Sequence, residues 1–396
     1  MLDAIEAQSH NYMCLFMKSR KRGSGGYVRK RTKNWLNARL AMPYSQLWLT
    51  DNGENWSLKW DALAVDSLAR YLGVPTWLAE PHGVTRQSIF YLSKYVLLEP
   101  ERYLANGNRI AFPYYHGYPG SDCPVAERCF KALRQLHPRV SRLQVSHARM
   151  EQHLLEAGVA PEKIHRIPIG VDCNLFTPQT SEGKRQARER WGVPLSAVVV
   201  GSFQKDGNGW GKGMSPKLIK GPDIFLATMK TLKTRVSELF VLLSGPARGY
   251  VKQGLEHLGL PYRHVFLENY LDIGTLYHCL DVYLVASREE GGPKAVLESM
   301  AAGIPLVTTR VGQVMDLVRS GDNGLLSDIG DYAGLAHALE QILGDTSLRE
   351  RLIITGLATA RTNTYLSQLP LWRHFFDGFV ALPVSKKTNP DIGYRL

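Results

Sequence analysis

Residues 282–308 read VYLVASREEGGPKAVLESMAAGIPLVT, and this stretch decides the fold. It begins with an apolar run at 282–285 and ends with a second one at 305–308. Between them, after a turn that contains two glycines, apolar residues recur at helical spacing from position 296 to 301. A strand, a helix and another strand in this order predict a parallel sheet with a crossover helix on its face.

The same alternation continues on both sides of this unit. In the first half, we predict strands at 46–50, 109–112 and 142–145, and helices at 61–72 and 125–136. In the second half, we predict short buried strands at 197–200, 239–243 and 264–267. The two halves meet near Val171, and the pattern predicts an α/β protein with two Rossmann-like domains that face each other.

The composition favours a well-packed protein with anionic partners. The chain has 396 residues, of which 44% are hydrophobic, and its net charge is +12 at pH 7. This charge favours phosphates, a membrane surface or nucleic acid as partners. Five cysteines are scattered without zinc-site spacing, and their odd number argues against a disulfide framework, so we expect a reducing compartment.

The N-terminal sequence MLDAIE carries acids where a secretory signal peptide carries basic residues. No uninterrupted apolar run approaches the roughly 18 residues that a membrane-spanning helix needs. We therefore expect a cytosolic protein and leave open an association with a membrane surface.

Two glutamates flank the start of the helix predicted after Pro293. Glu290 lies in the turn before the helix, and Glu298 lies more than one turn inside it, off the apolar face. Pro293 suits the first helical position, and Gly303 suits the position after the helix end. Both carboxylates would then line the crevice at the carboxyl ends of the strands. A ligand with hydroxyls and phosphates fits such a crevice beside a helix N-terminus, although a solvated acidic turn has the same pattern.

Glu290 and Glu298, separated by seven residues and followed by SMAAGIPLV, resemble the signature of the retaining GT-B glycosyltransferases called glycosyl transferases group 1. Further matching segments follow in the family's order: IPIGVD at 167–172, KGPD at 220–223, GQ at 312–313 and GL at 324–325. The resemblance is specific from about residue 167 to about residue 326 and weak before that. It implies an acceptor-binding domain at 1–170, a nucleotide-sugar-binding domain at 171–365, and a C-terminal helix and tail at 366–396 that return to the first domain.

In this family the first glutamate contacts the donor sugar and the second contacts the ribose of the nucleotide. The resemblance implies these roles for Glu290, as a catalytic residue, and for Glu298. It also implies that backbone amides around Gly291 and Gly292 hold sugar hydroxyls and phosphate. The sequence departs from the family's usual Glu-Gly-Phe-Gly-Leu-Pro run, and Pro293 leaves this turn with one backbone N–H fewer than the family's glycine would supply.

The family's positive charges, which neutralise the departing diphosphate, map onto lysines in this chain. Lys220 matches the family's lysine and is a catalytic candidate, whereas Ser202 stands where an arginine is usual. Lys205 is the expected substitute, and Lys294 is a third candidate cation at the donor. Each lysine on its own is also compatible with a solvated surface charge. Residues 204–218 resemble an insertion at this phosphate site.

In the N-terminal half, a strand predicted at 12–17 leads into GSGG at 23–26 and a helix at 28–40. This turn resembles the family's loop near the donor phosphates, which implies donor contacts for Gly25 and Gly26. A flexible strand-to-helix connection has the same composition. His116 resembles the family's histidine near the reacting sugar and is a catalytic candidate, with a satisfied polar residue as the alternative.

Residues 18–33 contain eight basic side chains and no acidic one. The helix that follows joins a basic face to an apolar stripe, so residues 18–40 are predicted to lie on anionic lipid headgroups. RNA binding or a solvated face are the alternatives, and no RNA-binding aromatic sheet or helix-turn-helix pattern supports nucleic acid. We expect a cytoplasmic protein that is peripheral at the inner face of the cytoplasmic membrane.

These inferences predict transfer of a sugar from a nucleotide-sugar donor to a hydroxyl acceptor, in cell-surface polysaccharide or glycolipid synthesis. Retention of configuration is implied by the family. No Asp-x-Asp metal anchor is present, so we expect a metal-independent reaction with no cofactor besides the donor. The altered Gly-Gly-Pro-Lys turn and the missing arginine keep a second hypothesis open, a catalytically silent nucleotide-sugar-binding or membrane-docking component of an envelope-assembly complex.

Overall fold

The computed structural model describes residues 42–50, 57–81, 83–105, 107–121 and 123–382. Several predicted features lie outside these residues: the strand at 12–17, the turn with Gly25 and Gly26, the basic segment 18–40 and the tail after residue 382.

Within the described residues, the first domain has a sheet of six parallel strands in the order β2-β1-β3-β4-β5-β6. The strands are β1 (Leu47–Leu49), β2 (Thr76–Leu78), β3 (Ser88–Phe90), β4 (Arg109–Pro113), β5 (Arg142–Val145) and β6 (Ile164–Arg166). The helices of this part of the chain are α1 (Ser57–Tyr71), α2 (Pro100–Tyr103), α3 (Pro124–Leu136) and α4 (Ala148–Glu156).

The second domain has another parallel sheet, in the order β12-β11-β10-β7-β8-β9. Its strands are β7 (Val198–Phe203), β8 (Leu239–Ser244), β9 (Tyr262–Val265), β10 (Val282–Val285), β11 (Leu306–Thr309) and β12 (Leu325–Ser327). The helices are α5 (Ser181–Trp191), α6 (Pro222–Lys233), α7 (Gly249–His257), α8 (Ile273–Tyr277), α9 (Lys294–Ala301), α10 (Val314–Leu317), α11 (Tyr332–Gly344) and α12 (Thr346–Thr362), and α13 (Leu369–Phe376) follows. In the part of the chain that the structure describes, no helix is long and apolar enough to cross a membrane.

Two parallel sheets with intervening helices confirm the predicted α/β class. β10 has the predicted bounds, β11 begins one residue later than predicted, and β9 begins two residues earlier than the predicted strand at 264–267. Four strands were not predicted from the sequence, and each is three residues long: β2, β3, β6 and β12. Three residues are too few to establish the alternation on which a strand prediction depends.

The last helix, α13, packs on the first domain although the chain reaches it from the second. Trp372 and Phe375 are buried in one apolar cluster with Leu49 and Phe90 of the first sheet. The ring centroids of Phe90 and Phe375 are 5.7 Å apart, in an edge-to-face arrangement that aromatic pairs prefer. The chain therefore crosses between the domains twice, once near Val171 and once before α13.

Candidate active site

A cleft of about 740 Å³ lies between the two domains. Loops that follow β4, β7 and β10 line it, because parallel strands all end at the same edge of their sheet. Its lining includes the predicted site residues His116, Lys205, Lys220, Glu290, Gly291, Gly292, Lys294 and Glu298. Gly25 and Gly26 lie outside the described residues.

The turn between β10 and α9 brings the two domains into close contact. A Cβ on Gly291 would lie 2.2 Å from the Cβ of Tyr115, and a Cβ on Gly292 would lie 2.8 Å from Cδ1 of Ile169. Glycine at both positions therefore allows this approach. The carbonyl of Gly291 accepts hydrogen bonds of 2.9 Å from Ser146 Oγ and from the Gln313 backbone N–H. The bond from Ser146 fixes the turn against the first domain, and the bond from Gln313 fixes it within the second.

Pro293 precedes α9 instead of starting it. Its ψ of 109° is extended, and the helix begins at Lys294, so the prediction of Pro293 at the first helical position is wrong by one residue. The fixed φ of proline, here −64°, is compatible with the N-cap and with the first helical position. The extended ψ places Pro293 at the N-cap. Gly303 follows the C-cap Ala302 with a φ of 68°, as its predicted place after the helix end requires.

Lys220 and Glu290 form an ion pair on the cleft wall. Lys220 Nζ lies 2.6 Å from Glu290 Oε2, and Ser287 Oγ donates a 2.9 Å hydrogen bond to Glu290 Oε1. Gly221 follows Lys220 with a φ of 62°, and a Cβ there would lie 1.8 Å from the carbonyl oxygen of Ala286. This glycine lets the turn that carries Lys220 pack against the end of β10.

Glu298 is buried on the second-domain side of the cleft. Tyr277 donates a 2.8 Å hydrogen bond to Oε2 of Glu298, and Tyr270 donates one of 3.2 Å to Oε1. Burial raises the pKa of Glu298, against the opposite effect of Lys294 and of the two tyrosine hydroxyls. Burial also raises the pKa values of both tyrosines, which keeps their hydroxyls protonated as donors.

Lys294 is engaged by the first domain. Its Nζ lies 2.6 Å from Oδ1 of Asp61 on α1, and beside it the Trp60 ring stacks on Tyr270 with centroids 4.7 Å apart. Burial acts against the charged form, but Asp61, Tyr365 and Tyr270 together raise the pKa of Lys294 well above its usual value. This candidate donor-site cation is therefore already paired with a carboxylate from across the cleft.

His116 lies beyond the end of β4, between a lysine and a glutamate that the sequence analysis missed. Its Nδ1 is 3.4 Å from Nζ of Lys94 and 3.6 Å from Oε1 of Glu289. Glu289 belongs to the second domain and also accepts hydrogen bonds from the Gly117 N–H at 2.9 Å and from Ser121 Oγ at 2.6 Å. The acidic pair at 289–290 was the signal for a second functional carboxylate, but its partners could not be read from the sequence.

The loop after β7 is anchored by a buried arginine. Arg248 donates from Nη1 to the backbone oxygens of Ser202 at 2.6 Å, Ser244 at 2.9 Å and Gln204 at 3.0 Å. Its Nε lies 3.0 Å from Oδ1 of Asp206, and neither of these two side chains is more than 1% exposed. Ser202 thus contacts an arginine from another part of the chain, but this guanidinium is buried beneath the loop.

The same loop carries Lys205 to the mouth of the cleft. Lys205 Nζ lies 3.5 Å from the ring centroid of Trp210, a cation–π contact to a side chain that is half-exposed. Lys217, which the sequence analysis did not single out, lines the same wall, and its pKa is lowered by burial and by the nearby Lys220. Three ammonium groups therefore line this side of the cleft.

The cleft offers two kinds of recognition chemistry. Its carboxylates accept hydrogen bonds from hydroxyls, and its ammonium groups attract phosphates. Among the residues that the structure describes, no group of three His, Cys, Asp or Glu side chains is placed to hold a metal ion.

Most of the predicted site residues lie in a segment that matches a known protein family. Residues 215–358 match the family model of glycosyl transferases group 1. This group 1 segment includes Lys220, Glu290 and Glu298, and the match confirms the resemblance found in the sequence.

Two curated proteins illustrate the relatives of this chain. The D-inositol 3-phosphate glycosyltransferase of Corynebacterium urealyticum is 31% identical over 242 residues, which cover 58% of this chain and 53% of that protein. The lipopolysaccharide core biosynthesis glycosyltransferase LpsE of Rhizobium meliloti is 36% identical over 139 residues, which cover 33% of this chain and 41% of that protein. The chain thus spans about half the length of the curated relatives that it matches.

Solved structures confirm the GT-B fold. HepE of Anabaena, solved in complex with UDP-glucose, has a TM-score of 0.68 at 16% identity, and the match covers 84% of this chain and 99% of that one. The sucrose-phosphate synthase of Thermosynechococcus elongatus has a TM-score of 0.59 at 18% identity and covers 81% of this chain and 79% of that one.

Proposed function

We propose that the protein is a glycosyltransferase that moves a sugar from a nucleotide-sugar donor to a hydroxyl acceptor with retention of configuration. The observation that carries this proposal is the Lys220–Glu290 ion pair, which lines the same interdomain cleft as Glu298. The match of residues 215–358 to glycosyl transferases group 1 supports it.

The donor binds on the second-domain side of the cleft. Glu298 accepts hydrogen bonds from the ribose, and Glu290 accepts them from the hydroxyls of the sugar. Lys220 and Lys205 stabilise the diphosphate as negative charge develops on the leaving group. Backbone amides of the Gly-Gly turn, next to the N-terminus of α9, hold the sugar and its phosphate. The complexes of HepE with UDP-glucose and with UDP support a donor of this class.

Retention follows a front-face route, in which the leaving phosphate accepts the proton of the incoming hydroxyl. Both carboxylate oxygens of Glu290 are engaged, by Lys220 and Ser287, and both of Glu289 are engaged by the first domain. A carboxylate held in this way is a poor nucleophile, which supports a route without a covalent glycosyl-enzyme. His116 completes the site from the first domain as a polar contact to the reacting sugar.

The positive charge that other transferases take from a metal ion comes from lysines in this proposal. Lys205, Lys217 and Lys220 line one wall of the cleft and support this assignment. The reaction then proceeds without a metal and without a cofactor besides the donor.

The acceptor is a hydroxyl compound bound by the first domain, in the synthesis of a cell-surface polysaccharide, a lipopolysaccharide or a glycolipid. The similarity to LpsE, a protein of lipopolysaccharide core biosynthesis, supports this class of product. The basic residues within 18–40 would bring the enzyme from the cytoplasm to the anionic inner face of the cytoplasmic membrane, where a lipid-linked acceptor is available.

A second candidate function is a catalytically silent component that binds a nucleotide sugar. The Asp61–Lys294 pair favours it, because this pair neutralises a cation on the donor side of the cleft.

The test combines donor binding with sugar transfer. We expect one nucleotide class among UDP-, GDP-, ADP- and CMP-sugars to raise the melting temperature, and its labelled sugar to pass to a cell lipid or glycan extract with EDTA present. Glu290→Gln and Lys220→Met should each lower the rate of transfer at least about 100-fold, whereas Glu127→Gln, in a surface ion pair on α3, should not change it. Unchanged transfer in the first two variants contradicts the proposal, and binding without transfer favours the silent component.

A further inference from the structure

Two buried charges of opposite sign face one ring nitrogen of His116. Lys94 donates a hydrogen bond to the carbonyl oxygen of His116, and its Nζ lies 3.4 Å from Nδ1. Oε1 of Glu289 lies 3.6 Å from the same Nδ1. Lys94 and Glu289 are 5% and 7% exposed, whereas the His116 side chain is 32% exposed and lines the cleft.

The turn that carries His116 is held from two sides. Glu289 binds it from the second domain through the Gly117 N–H and Ser121 Oγ, while the Glu289 backbone N–H donates a 3.0 Å bond to Ile219 O in its own domain. On the other side, a Cβ on Gly117 would lie 2.7 Å from the Cβ of Ala126 on α3. Glycine at position 117 therefore lets the turn pack closely against α3 while Glu289 binds its other side.

The charges around His116 favour one tautomer. Burial and the ammonium groups of Lys94 and Lys220 lower the pKa of His116, whereas Glu289 acts in the opposite direction. Burial lowers the pKa of Lys94 to about 8, so its ammonium form dominates at pH 7. The Lys94 ammonium, which can only donate, lies within hydrogen-bond distance of Nδ1, whereas Glu289 Oε1 at 3.6 Å lies beyond it. Nδ1 therefore presents its lone pair to Lys94, and Nε2 carries the proton. His116 is then a neutral hydrogen-bond donor at Nε2.

We propose that Glu289 and Lys94 are positioning residues for sugar transfer, which together fix the ring of His116 and its tautomer when the two domains close. This inference rests on the proposed function. Lys94 and His116 belong to the first domain and Glu289 to the second. The histidine is consequently held in its reactive state only when the domain that binds the donor has closed on the domain that binds the acceptor.

The test follows the titration of His116 by NMR in protein labelled with carbon-13 histidine, with the His116→Asn variant to assign the signal. Lys94→Met should raise the pKa of His116, because it removes a nearby positive charge, and Glu289→Gln should lower it. Both variants should reduce kcat at least about tenfold with a smaller change in the KM of the donor. The acid limb of the rate profile should move to higher pH in Lys94→Met and to lower pH in Glu289→Gln.

Matched controls separate this role from general effects of charge or stability. Glu127→Gln and Lys131→Met remove the same charges from a surface ion pair on α3 and should leave the His116 titration and the rate unchanged. Glu289→Asp keeps the charge and should bring the pKa of His116 back towards its original value. If Lys94→Met does not fold, Glu289→Gln and Glu289→Asp still test the inference, because they change the other charge that faces His116.

The titration needs neither donor nor acceptor, so its outcome is independent of the transfer assay. An unchanged His116 pKa in Glu289→Gln overturns the inference even if the rate falls. If the expected shifts occur in a protein that transfers no sugar from any donor, the proposed function is wrong, and the catalytic part of this inference is overturned with it.

Discussion

Lys294, the first residue of α9, and Asp61, near the start of α1, approach to 2.6 Å although they belong to different domains. Their side chains are 15% and 22% exposed, so the pair is largely withdrawn from water. Such a pair costs more to break than a surface pair, because the remaining charge is left without a partner. The contact ties the second-domain side of the cleft to the first domain.

Asp61→Asn should lower the free energy of unfolding by about 2 kcal/mol, between the values typical of exposed and of fully buried ion pairs. Adding Lys294→Met should recover part of this loss, because it removes the unpaired ammonium. Urea denaturation at pH 7 measures both effects. The control Glu340→Gln breaks an exposed pair with Arg235 and should lower the free energy of unfolding by less than about 1 kcal/mol. If Asp61→Asn and Glu340→Gln lose equal amounts, Asp61 has no special role in stability.

Lys220→Met should lower kcat for sugar transfer by about 10²- to 10³-fold, because it removes a positive charge where negative charge develops in the transition state. It should also destabilise the protein, since Glu290 is left buried without its cation. The double variant Lys220→Met/Glu290→Gln should regain stability but stay inactive. Lys230→Met, at an exposed site on the neighbouring helix α6, is the control. Recovery of the rate in the double variant would show that the single variant is inactive only because it is unstable.

The stability of the protein should depend on pH through Glu298. Burial raises the pKa of this carboxyl, so ionising it costs more in the folded protein than in the unfolded chain. The contribution of this carboxyl to the free energy of unfolding is complete below its pKa in the unfolded chain. It is lost as pH rises through its pKa in the folded protein. The amide of Glu298→Gln can still bond to Tyr270 and Tyr277 but does not titrate.

Unfolding curves should therefore show Glu298→Gln gaining stability relative to the unchanged protein as pH rises from about 4 to about 8. The same variant should lose its affinity for the nucleotide sugar, measured as thermal stabilisation by the donor. A stability difference that is constant across this pH range would be inconsistent with a raised pKa at Glu298.

The unit from β10 to β11 could be predicted because its signals are local. Two apolar runs, a Gly-Gly turn and Gly303 fix the order of strand, helix and strand within fewer than thirty residues. Glu290 and Glu298 were found through the spacing within this unit. Of their neighbours in the folded protein, Lys220 was found through the family resemblance, and Tyr270 was found only in the structure.

The contacts between the domains could not be predicted in the same way. Glu289 meets Gly117 over a separation of 172 residues, and Gly291 meets Ser146 over 145. No periodicity or spacing links such residues, because their contact depends on how two sheets are placed and not on one element. The contacts of Lys94, Glu289 and Asp61 were therefore found only in the structure.

Gly291→Ala should uncouple the turn between β10 and α9 from the first domain. The new Cβ would lie 2.2 Å from the Cβ of Tyr115, whereas carbon atoms in contact are about 3.5–4.0 Å apart, so the turn would have to move by more than about 1 Å. This movement would break the hydrogen bond from Ser146 Oγ to the Gly291 carbonyl and displace the neighbouring Glu290. A misplacement of this size should lower kcat about 100-fold while the protein stays folded.

Steady-state rates measure this loss, and small-angle X-ray scattering should show a larger radius of gyration in Gly291→Ala because the domains no longer close fully. Gly344→Ala is the matched control, since nothing lies within 4 Å of its Cβ position at the end of α11. A full rate in Gly291→Ala would mean that the contact between this turn and Tyr115 is not needed for transfer. A lower rate with unchanged scattering would place the effect within the turn itself, at Glu290, and not in domain closure.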